Sequence, residues 1–351
     1  MALALGVFSF LMLLPGVKLG YWDRDEAEYA GVAHAMAQSG DFLVPRLFGA
    51  LYPDKPPLAV WLSAASYKVF GETELSGRLP HIFLAASSCV LIFLLGTRLY
   101  GLPGGAYASL CLSTCILFVV YGRFLMTDAA LVFFTLLTIT CLLAVLEGRA
   151  GSLPVVVGGV SLALALLAKG PIAYLPPCLF AAGYWLGHRR LPISVFARIS
   201  ALCAVSAVVG FPWFIATAHA TQGESLTAFL IRENVNRYLQ PMEGHGGPFG
   251  YFLLIIALGL FPWTGSLLLW KRFRRSRDPI RLGLLFWAGG ILLFFSFSAT
   301  KLPHYLLPAL PAFALLFADA FDSTSESDAR VIAWSMALTG SALFLGVLAA
   351  A

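Results

Sequence analysis

Charge is scarce in this chain. Only 12% of its 351 residues are Asp, Glu, Lys or Arg, about half the roughly 25% that soluble domains carry. A soluble core needs a polar shell, and 59% hydrophobic residues with a mean hydropathy of +0.84 leave too few charges to build one. Disordered, fibrous and nucleic-acid-binding classes are excluded, despite a formal net charge of +5. Alternation of period two is missing, which argues against a barrel. There is no internal repeat, no low-complexity segment and no close His/Cys cluster of structural zinc spacing. The six cysteines, at positions 89, 111, 115, 141, 178 and 203, all fall within apolar stretches, so no disulfide is predicted outside the membrane. Cys111 and Cys115, one helical turn apart, read as small core residues rather than a metal pair.

What is present is apolar length. A helix needs about 20 mostly apolar residues to cross a bilayer, and about eleven such stretches occur, near 3–20, 79–97, 103–120, 126–146, 153–168, 171–187, 199–218, 249–270, 282–298, 302–320 and 331–349. Backbone groups in lipid must be satisfied internally, so these are helices. The expectation is an all-α polytopic membrane protein, one domain over 1–351 with about eleven transmembrane helices. The first stretch lacks a basic n-region and a small-x-small cleavage site, and reads as a span rather than a signal peptide.

Basic residues set sidedness. With the N-terminus inside, the inner loops hold twelve basic and six acidic residues, net +6, and the other side holds eleven and twelve. The run from Lys271 to Arg281 is the strongest anchor. The two long connections, 21–78 and 219–248, then both lie outside, so the working surface is expected on the outer, periplasmic face, where loops carry function on a rigid scaffold.

The first outer loop opens Tyr21-Trp22-Asp23-Arg24-Asp25-Glu26-Ala27-Glu28-Tyr29. A helix over 25–38 is expected to lie at the interface, with Asp25, Glu28 and Tyr29 on one face. Asp25 is either a plain N-cap or a general base or metal ligand held at membrane depth. In Tyr52-Pro53-Asp54-Lys55-Pro56-Pro57, prolines fix the backbone on both sides of an adjacent carboxylate and ammonium. That loop is either a simple proline turn or a rigid display suited to a charged headgroup. A second interfacial helix follows over 58–70, with Trp61 and Tyr67 at headgroup depth.

Other polar groups collect on the same face. Asp128 opens the fourth span, where Thr127 or Asp128 caps the helix or Asp128 serves a site, with Arg123 as partner to it or to a phosphate. Lys169 and Lys301 sit at outer breaks between spans; each reads singly as a snorkelling lysine, and together with Lys55, Arg123, Arg232 and Arg237 they suit an anionic substrate group. In the second loop, Glu233 and Arg237 are spaced i, i+4. The Gly-rich segment around His245 is solvated loop, a lid or a metal arm.

Eight of these pieces occur in an order that resembles one family. They are Asp25-Glu26, Tyr52-Pro53-Asp54-Lys55-Pro56-Pro57-Leu58, Arg78-Leu79-Pro80, Thr127-Asp128, Ala168-Lys169-Gly170-Pro171, Phe211-Pro212-Trp213, the segment His245 to Phe249, and Lys301-Leu302-Pro303-His304-Tyr305. The chain is similar to bacterial membrane glycosyltransferases of the GT-C class, most to the undecaprenyl-phosphate aminoarabinose transferases that modify lipid A, and more distantly to protein O-mannosyltransferases. The resemblance spans residues 1 to about 320. It implies a sugar carried on a polyprenyl phosphate, lipid A or another envelope glycan or protein as acceptor, and the bacterial inner membrane as location. Asp25 would match the catalytic aspartate of the first loop and Asp128 the second site aspartate. Tyr29, Tyr52 and Lys55 would lie near the donor phosphate, and Asp54 would match an acidic ligand of a divalent metal ion. Three departures stand out: Asp54 where the family usually has Glu, Asn234 where many members have His, with His245 as a substitute metal ligand, and no soluble C-terminal domain after about eleven spans.

The chemistry fits these residues without the resemblance. A polyprenyl phosphate is both leaving group and lipid anchor, and its developing charge needs cations at the membrane surface, for which Lys55, Arg237 and Lys301 are candidates. A carboxylate must take the acceptor's proton, and Asp25 is the candidate. By analogy with the family, the outcome is a single displacement with inversion. Two rivals are a multi-pass transporter or lipid flippase, which should show related halves with paired broken helices, and an inactive partner subunit.

Overall fold

The computed structural model describes residues 1–149, 151–188, 190–269, 278–322 and 330. These residues are overwhelmingly helical. Helix α1 is Ala2–Leu13, shorter than the apolar stretch that contains it, and the chain turns after it at Gly16, φ +82°. Loop helices α2 (Arg24–Ser39) and α3 (Leu58–Phe70) follow, with a two-stranded hairpin, Arg46–Leu47 and Ala50–Leu51, between them.

Helix α4 (Glu74–Thr114) opens with a capping box in which Thr73 and Ser76 satisfy each other's backbone N–H. Its 41 residues hold the second and third apolar stretches as two legs. Gly101, at φ +74°, takes a conformation that side chains disfavour and, with Pro103 behind it, turns the chain back. The legs run antiparallel and close: Ser109 Oγ donates to the Cys89 carbonyl at 2.8 Å, and a Cβ at Gly105 would meet the Phe93 carbonyl oxygen at 2.5 Å. Small residues at such crossings are how helices pack in lipid, where apolar burial alone gives no driving force.

Then come α5 (Ile116–Tyr121), α6 (Thr127–Leu146), α7 (Ser152–Lys169), a 3₁₀ turn over Gly170–Tyr174, α8 (Leu175–His188) and α9 (Ile193–Ala220). The second loop is helical over Glu224–Leu239, with a π-helical stretch at Ala228–Asn236. The stretch 249–270 is not one helix. An α-helix at Tyr251–Gly259 gives way at Phe261-Pro262, where proline lacks a donor, to a 3₁₀ run at Trp263–Leu269. A helix at Pro279–Phe297 and a 3₁₀-to-α run from Pro303 to Asp322 complete the bundle.

Six helices among the described residues are long and apolar enough to cross a membrane. That is fewer than eleven because two of them hold two of the expected spans each, and because α1 is short and 249–270 is broken. The stretch 331–349 and most of the Lys271–Arg281 anchor lie outside the described residues. The chain is a multi-pass membrane protein.

Both long loops lie at one end of the bundle. Lys55 of the first loop is 3.6 Å from Glu233 of the second, Arg24 is 3.9 Å from Glu243, and the Trp213 indole donates to the Leu43 carbonyl at 3.0 Å. Helices α2 and α3 bury Tyr29, Val32, Ala33 and Met36 against Val60, Ala64 and Tyr67. The loop is fastened below by Glu26 and Arg78, an ion pair with 2.7 Å contacts and almost no exposure.

Candidate active site

A cavity of about 620 Å³ lies between the two loops and the ends of α6, α7 and α8. Asp25 reaches it from α2. An N-cap must be extended while its side chain turns back to the helix, and that place belongs to Asp23, φ −139°, whose carboxylate accepts the Glu26 N–H at 2.9 Å. The capping role considered for Asp25 is thereby corrected. Asp25 is already helical, and its carboxylate lines the cavity. Burial raises its pKa, the charge of Asp23 adds to that, and Lys55 opposes it.

Lys55 lines the same cavity from the proline-bounded loop, its ammonium donating to the Asp54 carbonyl at 3.0 Å. Burial lowers its pKa, with Glu233 acting against the shift. Tyr29 also lines the cavity, whereas Tyr52 stands behind it, edge-on to the Tyr29 ring at 6.3 Å and donating to Glu28 at 3.2 Å.

Asp128 enters from α6. Met126 is the extended N-cap and no side chain caps this helix, so neither Thr127 nor Asp128 does. Asp128 is 1% exposed. One carboxylate oxygen accepts from Lys169 at 2.6 Å, and the other, Oδ2, is buried without a hydrogen-bond partner. Lys169 ends α7, where Gly170 breaks the helix at φ +80°. Arg123 does not join them. Its guanidinium donates to the carbonyls of Val119 and Pro15.

Arg237 comes from the second loop, 3.1 Å from Glu233 and 3.3 Å from Glu243, and it is hydrogen-bonded to Tyr305. Three of the residues that line the cavity were given no role in a site from the sequence: Glu233, His304 and Tyr305. The Lys301-Leu302-Pro303-His304-Tyr305 motif reaches the cavity through His304 and Tyr305 and not through Lys301. Lys301 turns back onto the end of the Pro279–Phe297 helix, where its ammonium donates to the carbonyls of Ser296 at 3.0 Å and Ser298 at 2.6 Å. A helix C-terminus offers unpaired carbonyls and partial negative charge, which is what an ammonium satisfies. Lys301 is spent there and, contrary to its expected place beside a phosphate, does not line the cavity. The adjacent 3₁₀ turn presents His304 and Tyr305 instead.

Asp54 and His245 are not among the cavity's lining residues. His245 is exposed, and its carbonyl accepts the Lys301 N–H at 2.7 Å. Among the described residues, no three His, Cys, Asp or Glu side chains converge as a metal site would need. Glu233, 3.6 Å from Lys55, already faces Lys55, Arg232 and Arg237. This donor set does not fit a divalent cation.

The cavity thus joins a carboxylate of raised pKa, two cations from separate loops and a second carboxylate with a spare oxygen. Its remaining wall is apolar, formed by Ile172, Leu175, Cys178, Leu239 and Phe294. Such a site can hold a phosphate at the cations, a lipid chain along the apolar wall and a proton-donating acceptor at Asp25.

Comparison with known proteins gives this arrangement a setting. The family of dolichyl-phosphate-mannose-protein mannosyltransferases matches residues 54–229. An undecaprenyl phosphate-alpha-4-amino-4-deoxy-L-arabinose arabinosyl transferase of Pseudomonas paraeruginosa is 30% identical over 328 residues, 91% of this chain and 59% of that protein. The enzyme of that name from Yersinia pestis is 30% identical over 321 residues, 89% and 57% of the two chains. Among solved structures, ArnT from Cupriavidus metallidurans bound to undecaprenyl phosphate superimposes with a TM-score of 0.87 at 25% identity, over 97% of this chain and 63% of that one. The oligosaccharyltransferase of Archaeoglobus fulgidus shares the fold at TM-score 0.64 and 14% identity, over 98% and 55% of the chains. The chain therefore spans about 59% of the length of the Pseudomonas relative.

Proposed function

Because the chain belongs to the dolichyl-phosphate-mannose-protein mannosyltransferase family of GT-C glycosyltransferases, we propose that it moves a sugar from a polyprenyl-phosphate donor to an envelope acceptor at the periplasmic face. The observation that carries this reading is the meeting of Asp25 with Lys55 and Arg237 in one cavity with an apolar wall. The two long loops that build it fall on the side opposite the short basic loops, which the positive-inside rule assigns to the outside. The Pseudomonas and Yersinia relatives favour a 4-amino-4-deoxy-L-arabinose donor, and the resemblance of the motifs to lipid A-modifying transferases favours lipid A as acceptor. Another lipid, glycan or protein hydroxyl fits the same chemistry.

In the reaction, the acceptor oxygen attacks the anomeric carbon from the face opposite the phosphate. Asp25 takes the acceptor's proton as the new C–O bond forms. The bond between the anomeric carbon and the phosphate oxygen breaks, and its electron pair stays on the phosphate. Lys55 and Arg237 meet that growing charge. One displacement inverts the anomeric centre. Asp128, neutralised on one oxygen by Lys169, offers the other to a hydroxyl or amine of the sugar.

The test is Asp25→Asn in the purified protein, with transfer from the polyprenyl-phosphate sugar as readout. Loss of the proton acceptor should slow transfer by about 10²–10⁴-fold. Transfer at the wild-type rate would overturn the assignment.

A further inference from the structure

Glu233 is hard to account for in a site that binds an anion. Its side chain is 1% exposed, and it stands among the cations that the donor phosphate needs. Oε2 lies 3.1 Å from Arg237 and 3.6 Å from Lys55, and Oε1 lies 3.4 Å from Arg232. Oε2 nevertheless makes no hydrogen bond, and neither does the buried Nε of Arg237. The carboxylate contributes charge to the subsite without saturating its donors.

We propose that Glu233 sets the charge of the phosphate subsite so that the singly charged phosphodiester donor is held and the more highly charged monoester product is released. This rests on the reading of Lys55 and Arg237 as phosphate ligands. Lys55, Arg237 and the Glu233 carboxylate between them carry one net positive charge as a trio, which matches a diester. Other charged groups near Glu233 are Asp54 beside Lys55, the largely exposed Arg232, and Glu243, which with Tyr305 contacts Arg237. Across the cavity, Asp25 is within electrostatic reach of Lys55 and Arg237, and Asp128 is paired with Lys169.

The chemistry changes the ligand's charge. When the bond to the sugar breaks, the electron pair remains on the phosphate, and a phosphomonoester with its second pKa near 6 carries about −1.5 to −2 at pH 7. Attraction to the subsite grows linearly with that charge, while desolvation grows with its square. A site balanced for one negative charge therefore holds the product less well than a site with two uncompensated cations would. Glu233 is a positioning residue in this scheme, acting through Lys55 and Arg237 and touching no reacting atom.

The experiment compares binding of a polyprenyl phosphate and of its methyl ester between pH 5 and 8, in wild type, Glu233→Gln and Lys55→Ala. The methyl ester keeps one charge throughout and controls for every titrating group of the protein. In wild type, the monoester's affinity relative to the methyl ester should fall as pH rises through about 6. Glu233→Gln should strengthen the methyl ester by about threefold and the monoester by about tenfold at pH 8, since the effect scales with ligand charge. At pH 5 the two gains should converge. The same variant should turn over more slowly in multiple-turnover than in single-turnover conditions, because release of the product becomes limiting. Equal gains for both ligands at pH 8, or a wild-type monoester affinity that rises through pH 6, would overturn the proposal. The wild-type profile decides the matter even where Glu233→Gln does not fold. If Lys55→Ala leaves both affinities unchanged, the phosphate-site reading itself fails.

Discussion

Two buried ion pairs flank the first loop, and they are built to opposite standards. Glu26 and Arg78 leave almost nothing unmet. The carboxylate accepts from Arg78 twice at 2.7 Å and from the N–H groups of Trp22 and Leu125 at 2.8 and 3.0 Å. The guanidinium spends its other donors on the carbonyls of Val17, Leu19 and Gly20. Asp128 and Lys169 share a single contact, and Asp128 Oδ2 is left bare beside the cavity. A fully satisfied network fixes geometry, whereas a buried acceptor without a partner costs stability until a donor arrives. The first pair is a fastening, and the second leaves an acceptor open beside the cavity.

The largest effect that follows is on stability. Glu26→Ala strands Arg78 where water cannot reach it and should cost about 3–5 kcal/mol, read as a large fall in thermal unfolding temperature. Adding Arg78→Met should restore only part of it, since the stranded charge is gone but the carbonyls of Val17, Leu19 and Gly20 and the N–H groups of Trp22 and Leu125 lose their partners. A loss below about 1 kcal/mol for Glu26→Ala would break the contrast. For Asp128→Asn the balance reverses. The amide keeps the shape and still offers Lys169 an oxygen, so stability should move by less than about 1 kcal/mol. Transfer should fall by about 10²-fold, equivalent to roughly 2.7 kcal/mol of transition-state stabilisation. A variant that unfolds early yet transfers at full rate would make the two pairs alike.

The sequence told these pairs apart only in part. Apolar length and proline placement sufficed for α4 to α9 and for the two loop helices, because in lipid a long apolar run has no alternative to helix. It could not show that 249–270 breaks, since that depends on how one proline is accommodated by neighbours. Asp25, Lys55, Asp128 and Arg237 were legible as charges beside the membrane, and all four line one cavity. Lys301 was equally visible and goes elsewhere, because a helix end three residues before it competes for its ammonium. Glu233 looked like an ordinary i, i+4 partner of Arg237. Only its nearness to Lys55, 178 positions away along the chain, gives it a second meaning. Pairs close in sequence announce themselves by spacing; Glu26 with Arg78 and Asp128 with Lys169 are joined only by the fold.

The smallest effect is also the most selective, because one turn of α2 serves both regions: Glu26 faces the fastening and Asp25 the cavity, with Asp23 capping the turn. Asp23→Asn should keep the cap, since asparagine is as good an N-cap as aspartate, and so leave the Glu26–Arg78 pair and the unfolding temperature unchanged. It does remove a negative charge that raises the Asp25 pKa. The base must be ionised to accept a proton, so the rate rises with pH through the Asp25 pKa, and lowering that pKa should move the acid limb of the pH–rate profile to lower pH. Asp23 is exposed to water, so the displacement should be a fraction of a pH unit, about 0.2–0.5, and should shrink as salt is added. Lys55→Ala should move the same limb the other way, because Lys55 favours the ionised carboxylate. Opposite displacements from two substitutions on different segments would tie the acid limb to Asp25, whereas a limb that ignores both belongs to another group.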